Sequence, residues 1–129
     1  MAPFHPPRPT DAELAILRVL WQAGPSTVRQ VQETLNRVRR TGYTTVLKLL
    51  QIMDAKGLVR RDESQRSHVY AARYSEERTQ LQLVSDLLER AFGGARTQLV
   101  MRALAAKRTT PEELAEIRQL LDHLEGGAP

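Results

Sequence analysis

The segment RRTGYTTVLKLLQ, residues 39–51, changes from basic and polar residues to mainly apolar ones along its length. It opens with an arginine pair, continues through the adjacent threonines Thr44 and Thr45, and becomes an apolar helix by Val46. Threonine is a mediocre helix former, so a helix that served only for packing would not favour this opening. In the first turn of a helix, however, backbone N–H groups are unpaired and the dipole is positive. The segment therefore predicts a helix whose first turn contacts a polar, anionic partner.

The two threonines also have a purely structural interpretation, in which they only cap the helix. The residues around them favour nucleic acid instead, because Arg39, Arg40 and Lys48 lie close by in sequence. Short hydroxyl side chains allow close approach to a phosphate or a base edge, and the threonine methyl group fits against a thymine methyl.

Two helices are predicted before this segment. The first begins at Thr10, where T-D-A-E is a capping box, and its apolar stripe stops at Gly24-Pro25. The second takes Ser26 or Thr27 as its N-cap and ends near Asn36.

The third helix is predicted from about Gly42 to Lys56, with Gly57 as the left-handed residue that ends it. The short β-branched or aromatic runs 58–61 and 68–74 follow, joined by the polar link DESQRS, which predicts a hairpin with a charged tip. Three helices and such a hairpin describe a winged helix-turn-helix, which offers its third helix to the major groove of DNA.

The remainder of the chain is again helical and amphipathic. Ser75 caps a helix that Gly93-Gly94 ends, a second helix follows, and T-P-E-E at Thr110 opens a third. Three short helices cover only part of their apolar stripes by folding on one another, so we expect a second copy to cover the rest in a two-fold homodimer. The predicted dimerisation residues are Leu81, Val84, Leu88, Leu99, Leu104, Leu114, Ile117, Leu121 and Leu124.

The predicted fold class is mainly α, with an N-terminal winged helix-turn-helix of three helices plus a β-hairpin wing, followed by a C-terminal helical dimerisation region. The 129 residues suffice for a small domain with an appendage. Residues 1–9 carry four prolines and are expected to be a disordered or loosely docked arm. Residues 10–74 form the winged helix domain, and residues 75–125 form the helical dimerisation domain.

Charge is distributed unevenly along the chain. The net charge is +4, but residues 1–74 hold 12 basic and 6 acidic residues, whereas residues 75–129 hold 7 basic and 9 acidic ones. Clustered basic charge is typical of a surface that neutralises phosphates, although a solvated basic face has the same composition. The pattern favours double-stranded DNA as a partner of the first part.

The sequence gives little support for a metalloprotein, an enzyme or a membrane protein. The chain has no cysteine, and His5, His68 and His123 form no ligand motif, so we expect no metal site and no cofactor. No nucleophile, base and anion hole assemble in the sequence, which argues against an enzyme. Without an apolar run of membrane-spanning length or a signal peptide pattern, we expect a cytoplasmic protein with no membrane insertion.

Six short motifs follow one another along the chain. They are E-L-A-I-L-R-V-L-W at 13–21, Gly24-Pro25, V-R-Q-V at 28–31, Y-T-T-V at 43–46, K-G-L-V at 56–59 and F-G-G at 92–94. Each is unspecific alone, but in this order and spacing the chain, from Thr10 to Leu124, resembles the penicillinase and methicillin-resistance repressors of the BlaI/MecI/CopY type.

The resemblance implies a winged-helix transcriptional repressor that binds a palindromic operator as a homodimer, with antibiotic resistance genes among the family's targets. It places the operator-reading helix on 43–57 and a phosphate contact at the wing tip. The DNA-binding residues are then Arg39, Arg40, Tyr43, Thr44, Thr45, Lys48 and Arg66. A membrane metalloprotease sensor is the expected partner that would release such a repressor.

Three departures from the family pattern stand out. Ile52 occupies a place where many members carry arginine. Members relieved by proteolysis have an Asn-Phe bond where this chain reads Met101-Arg102-Ala103, which puts cleavage in doubt. The absence of cysteine excludes the copper-responsive branch.

Two other functions remain open from the sequence. A ligand-responsive regulator would hold a small molecule between the winged domain and the dimer helices. A protein-interaction module would use the winged fold without DNA, and it would show no salt-dependent binding to a duplex.

Overall fold

A computed structural model describes residues 7–126 of the chain. This part of the chain is mainly helical and carries a small antiparallel sheet. Its elements, in order, are α1 (Asp11–Ala23), β1 (Ser26–Thr27), α2 (Val28–Asn36), α3 (Tyr43–Lys56), β2 (Val59–Asp62), β3 (Val69–Ala72), α4 (Glu76–Phe92), α5 (Arg96–Ala106) and α6 (Pro111–Glu125). The predicted mainly α fold with a winged helix-turn-helix is confirmed. Most of the arm predicted at residues 1–9 lies outside the described residues.

Threonine side chains begin three of the helices. Thr10 accepts the backbone N–H of Glu13 at 3.2 Å, and the Glu13 carboxylate accepts the backbone N–H of Thr10 at 2.9 Å. The same reciprocal capping box occurs at Thr27 before α2 and at Thr110 before α6. Each box satisfies two backbone donors that the helix leaves unpaired, so the starts of α1, α2 and α6 are encoded locally.

The sheet has one strand more than the sequence predicted. Its order is β1-β3-β2, with both neighbours antiparallel to β3. The predicted strand 58–61 is observed one residue later at the same length, as Val59–Asp62, and the predicted strand 68–74 is observed one residue later and shorter, as Val69–Ala72. The two-residue strand β1, where Ser26 pairs with Tyr70, has no pattern of its own because it forms only by pairing with β3.

The hydrophobic core lies among α1, α2, α3 and the sheet. Ile16, Val31, Leu50, Met53 and Tyr70 are almost fully buried there. The Trp21 indole packs against this core and donates its N–H to the Tyr74 carbonyl at 3.0 Å. The core residues of α3 therefore fix which of its faces remains outside.

The chain divides into two compact units, Met1–Leu83 and Val84–Pro129, with the division inside α4. The first unit holds the core and the sheet. None of the helices α4, α5 and α6 contains a buried residue. The predicted start of α4 at Ser75 is confirmed, since the Ser75 hydroxyl accepts the backbone N–H of Arg78 at 3.1 Å.

Candidate nucleic-acid interface

One face of α3 is exposed along the whole helix. Val46, Leu50 and Met53 turn into the core. The opposite positions follow one another at the spacing of a single helical face, and their side chains are exposed. They are Thr44, Thr45, Lys48, Gln51, Ile52 and Ala55. At its N-terminal end the face has short polar side chains. It carries the Lys48 cation in the middle and becomes apolar at Ile52.

The first turn of α3 has no side-chain cap. Gly42 is the N-cap residue, and the first backbone bond of the helix joins the Val46 N–H to the Gly42 carbonyl at 3.2 Å. Thr44 and Thr45 are therefore the second and third helical residues. The interpretation that they merely cap the helix does not fit this arrangement, and the backbone N–H groups of the first turn have no partner within the helix.

The other predicted DNA-binding residues lie before α3, within it and in the hairpin tip. Arg39 and Arg40 are exposed in the connection between α2 and α3. Tyr43 is the first residue of α3; it is half-exposed and lies to the side of the stripe that runs from Thr44. Arg66 lies in the exposed tip between β2 and β3. All seven predicted residues are accessible in the first unit.

Within the described part of the chain, Arg39, Arg40, Lys48 and Arg66 take part in no ion pair. Within residues 7–126 the ion pairs are Lys56 with Glu13 and Arg61 with Glu63. Neither Lys48 nor Arg66 takes part in them. Their charges are thus available to phosphates, since no carboxylate has to be displaced first.

The β2–β3 hairpin, which is the wing, contains both acidic and basic side chains. Arg61 at the end of β2 forms an ion pair with Glu63. A hydrogen bond from the Ser64 backbone N–H, 2.9 Å from Oδ1, holds the pKa of Asp62 below its usual value. The tip therefore carries the carboxylates of Asp62 and Glu63 beside its arginines, and Arg66 has no ion pair in the described residues.

The turn between α2 and α3 is held by α2 side chains, which sequence reasoning did not single out. The Thr41 backbone N–H donates to Asn36 Oδ1 at 2.6 Å, and Gln32 Nε2 donates to the Thr41 carbonyl at 3.3 Å. The one feature of the sequence that could have indicated these hydrogen bonds is the four-residue spacing of Gln32 and Asn36, which places both on one side of α2.

The predicted dimerisation residues lie on helices without buried positions. Leu88, Leu99 and Ile117 are half-buried in the monomer. The other predicted residues are exposed, and so are four apolar residues outside that set, Leu87, Val100, Met101 and Leu120. The second unit thus presents a larger apolar surface than the prediction included.

Three further features of the described residues concern metal binding, membrane spans and the region considered for cleavage. No group of three or more carboxylate, histidine or cysteine side chains is arranged for a metal ion in residues 7–126. None of the helices in the same range has the length and apolar character that crossing a membrane requires. Met101-Arg102-Ala103 lies inside α5.

Comparison with known protein families gives a match over most of the chain. A family model described as penicillinase repressor matches residues 9–123. The transcriptional regulator BlaI of Mycobacterium tuberculosis (strain CDC 1551 / Oshkosh) is 33% identical over 118 residues, covering 91% of this chain and 85% of that protein. The penicillinase repressor of Bacillus licheniformis is 23% identical over 116 residues, covering 90% of this chain and 91% of that protein.

Solved structures share the fold. The monomeric form of Bacillus licheniformis BlaI, in complex with the blaP half-operator, aligns with a TM-score of 0.50 and 23% identity over 57% of this chain and 89% of that one. A MarR family protein from Bacillus stearothermophilus gives the same TM-score with 18% identity, over 92% of this chain and 74% of that one. On the family match and the 33% identical relative, this chain belongs to the penicillinase repressor family, whose members are DNA-binding transcriptional repressors and not enzymes.

Proposed function

We propose that this protein binds a palindromic operator as a homodimer and represses transcription by occupying promoter DNA. The observation that carries the proposal is the exposed face of α3, which begins with Thr44 and Thr45 at a helix start without a side-chain cap and continues to Lys48. In a winged helix-turn-helix this helix enters the major groove with its N-terminal residues against the base edges.

Each side chain has a distinct role in this proposal. Thr44 and Thr45 read base edges, because short side chains in the first turn allow the closest approach. Lys48 and Arg66 contact phosphates, one from the helix and one from the wing. Arg39 and Arg40 contact the backbone beside the helix start, and Tyr43, to the side of the stripe, packs against the sugar-phosphate chain.

Dimerisation is assigned to the helices of residues 75–125. The exposed leucines of α4 and α6 support it, since fully burying one leucine contributes about 1.5 to 3 kcal/mol and several would be buried at once. In a two-fold dimer the two copies of α3 occupy half-sites about 34 to 36 Å apart, or a multiple of that distance.

Release of the repressor by a membrane metalloprotease belongs to the same proposal. Cleavage near Met101-Arg102 would meet a helical substrate, because this stretch lies within α5. Proteases of this kind act on extended chain, so α5 has to open locally before the bond is reached. A purified sensor protease would then cut the protein faster under conditions that loosen α5, such as mild heating.

The test is duplex binding by the full chain. Fluorescence anisotropy with promoter fragments from the protein's own locus, compared with shuffled duplexes of equal length, should show preference for one palindromic site and an affinity that falls steeply with salt. Equal, weak binding to all duplexes would contradict the proposal and would favour the protein-interaction module.

A further inference from the structure

Thr41 is held through both of its backbone groups by α2. Its N–H donates to the Asn36 side chain at 2.6 Å, and its carbonyl accepts from the Gln32 side chain at 3.3 Å. The Thr41 hydroxyl donates in turn to the Arg39 carbonyl at 3.0 Å. These contacts fix the residue that directly precedes Gly42, the N-cap of α3.

The other end of the same turn is fixed by the backbone of α2. The Arg37 and Val38 N–H groups donate to the Thr34 and Leu35 carbonyls at 3.3 and 3.1 Å, and the Arg39 N–H donates to Leu35 at 3.0 Å. Residues 37–41 are therefore bonded at both ends, although Arg37, Val38, Arg39 and Arg40 are exposed to solvent. Exposed turns need no such bonds for solvation, because water satisfies their polar groups.

We propose that Gln32 and Asn36 are positioning residues for operator recognition: by holding Thr41 they set the direction in which Arg39, Arg40 and the first turn of α3 face DNA. The inference rests on the proposed function and extends it to residues that do not touch the nucleic acid. A side chain that contacts a base has to be held within about 0.5 Å of its productive place by its supporting residues.

The physical effect is preorganisation. Without the Asn36 acceptor the Thr41 N–H bonds to water, so the domain still folds, but the turn samples more conformations. Ordering the turn then becomes a cost of binding the operator. Non-specific binding depends on charge rather than on exact geometry, and removing a neutral amide leaves every cation in place.

The test compares the parent with Asn36→Ala and Gln32→Ala. Each variant should bind the operator about three to ten times more weakly, the range expected for one net hydrogen bond. Its affinity for shuffled duplex and the slope of affinity against salt should stay unchanged. Hydrogen exchange at the Thr41 amide should accelerate in Asn36→Ala and remain slow in Asn36→Asp, which keeps the acceptor oxygen.

Thr34→Ala is the matched control. Thr34 donates its hydroxyl to the Gln30 carbonyl at 3.1 Å, a bond of the same kind that stays within α2 and does not reach Thr41. Operator affinity equal to that of the parent in both test variants, or an equal loss in Thr34→Ala, would overturn the inference. A parent that fails to prefer any duplex would instead contradict the proposed function, so the two failures are distinguishable.

Discussion

The Lys56 ammonium contacts both carboxylate oxygens of Glu13, with Nζ 2.9 Å from Oε1 and 3.0 Å from Oε2. The pair joins the last turn of α3 to the first turn of α1. The Glu13 side chain is 2% exposed and that of Lys56 is 34% exposed. Because Glu13 also completes the capping box with Thr10, one carboxylate connects a helix start to the helix proposed to read DNA.

Removing the cation should destabilise the winged unit. Lys56→Met leaves the buried Glu13 carboxylate without its charged partner, which should lower the free energy of unfolding by about 1 to 3 kcal/mol, less than for a fully buried pair because Lys56 is partly exposed. Urea denaturation measures this change. The exposed Lys107, which has no ion pair in residues 7–126, provides the control Lys107→Met, and an equal loss there would contradict the assignment.

Stability should also depend on pH through Glu13. Burial raises the pKa of Glu13, but the hydrogen bonds from Thr10 and Lys56 and the charge of Lys56 outweigh burial, so the pKa lies below its ordinary value of 4.5. A depressed folded pKa gives stability that is present in full above the unfolded pKa and is lost as pH falls through the folded one.

We therefore expect thermal stability to decline below about pH 4.5, less steeply in Glu13→Gln, because glutamine does not titrate. Thermal unfolding followed by circular dichroism from pH 7 to pH 3 tests this. Parallel acid profiles of the parent and the variant would show that another carboxyl dominates, with Asp62 and Glu113 as candidates because their pKa values are also lowered.

Salt dependence should identify the phosphate contacts. Lys48→Ala and Arg66→Ala each remove one cation without an ion pair in the described residues, so each should reduce the slope of log affinity against log salt by about 0.9. Arg118→Ala, an exposed change on α6, serves as the control and should leave the slope unaltered. If Lys48→Ala leaves the slope at the parent value, Lys48 does not contact a phosphate.

Base reading should reside in the first turn of α3. The double variant Thr44→Ala, Thr45→Ala should lose about 1 to 3 kcal/mol of discrimination at one base pair of the operator. Its thermal stability should not fall, because neither residue is the N-cap and alanine is the better helix former. Competition binding with single-base operator variants gives the measurement, and unchanged discrimination would remove base reading from this turn.

The association state should respond to the apolar face of α6. Leu121→Glu together with Leu124→Glu places charge at two exposed apolar positions, so the proposed dimer should dissociate at micromolar concentration. Sedimentation velocity measures the change. Gln119→Glu, which also adds a negative charge to α6, is the control. A parent protein that sediments as a monomer would contradict the homodimer itself.

Much of the architecture could be predicted from local patterns. The capping boxes at Thr10 and Thr110 and the left-handed Gly57, at φ 80°, are encoded within a few residues, and the structure confirms the helix ends that they predict. In α3 the apolar residues Val46, Leu50 and Met53 recur at the spacing of one helical face, and all three are buried.

What the sequence did not reveal depends on contacts between distant residues. Strand β1 is two residues long and exists only because Ser26 and Thr27 pair with β3. The Glu13–Lys56 pair joins residues 43 positions apart, and nothing local distinguishes Lys56 from other lysines. The hydrogen bonds to Thr41 depend on where α2 ends relative to the following turn. The pattern of residue types along the sequence does not specify that position.

The central position of β3 in the sheet limits where insertions and deletions are tolerated. Tyr70 pairs with Ser26 on one side and with Arg61 on the other. An inserted residue inside β3 would shift its register against both neighbours and turn the buried Tyr70 ring toward solvent. Natural relatives should therefore differ in length at the hairpin tip, between 63 and 68, while β3 tolerates neither insertion nor deletion.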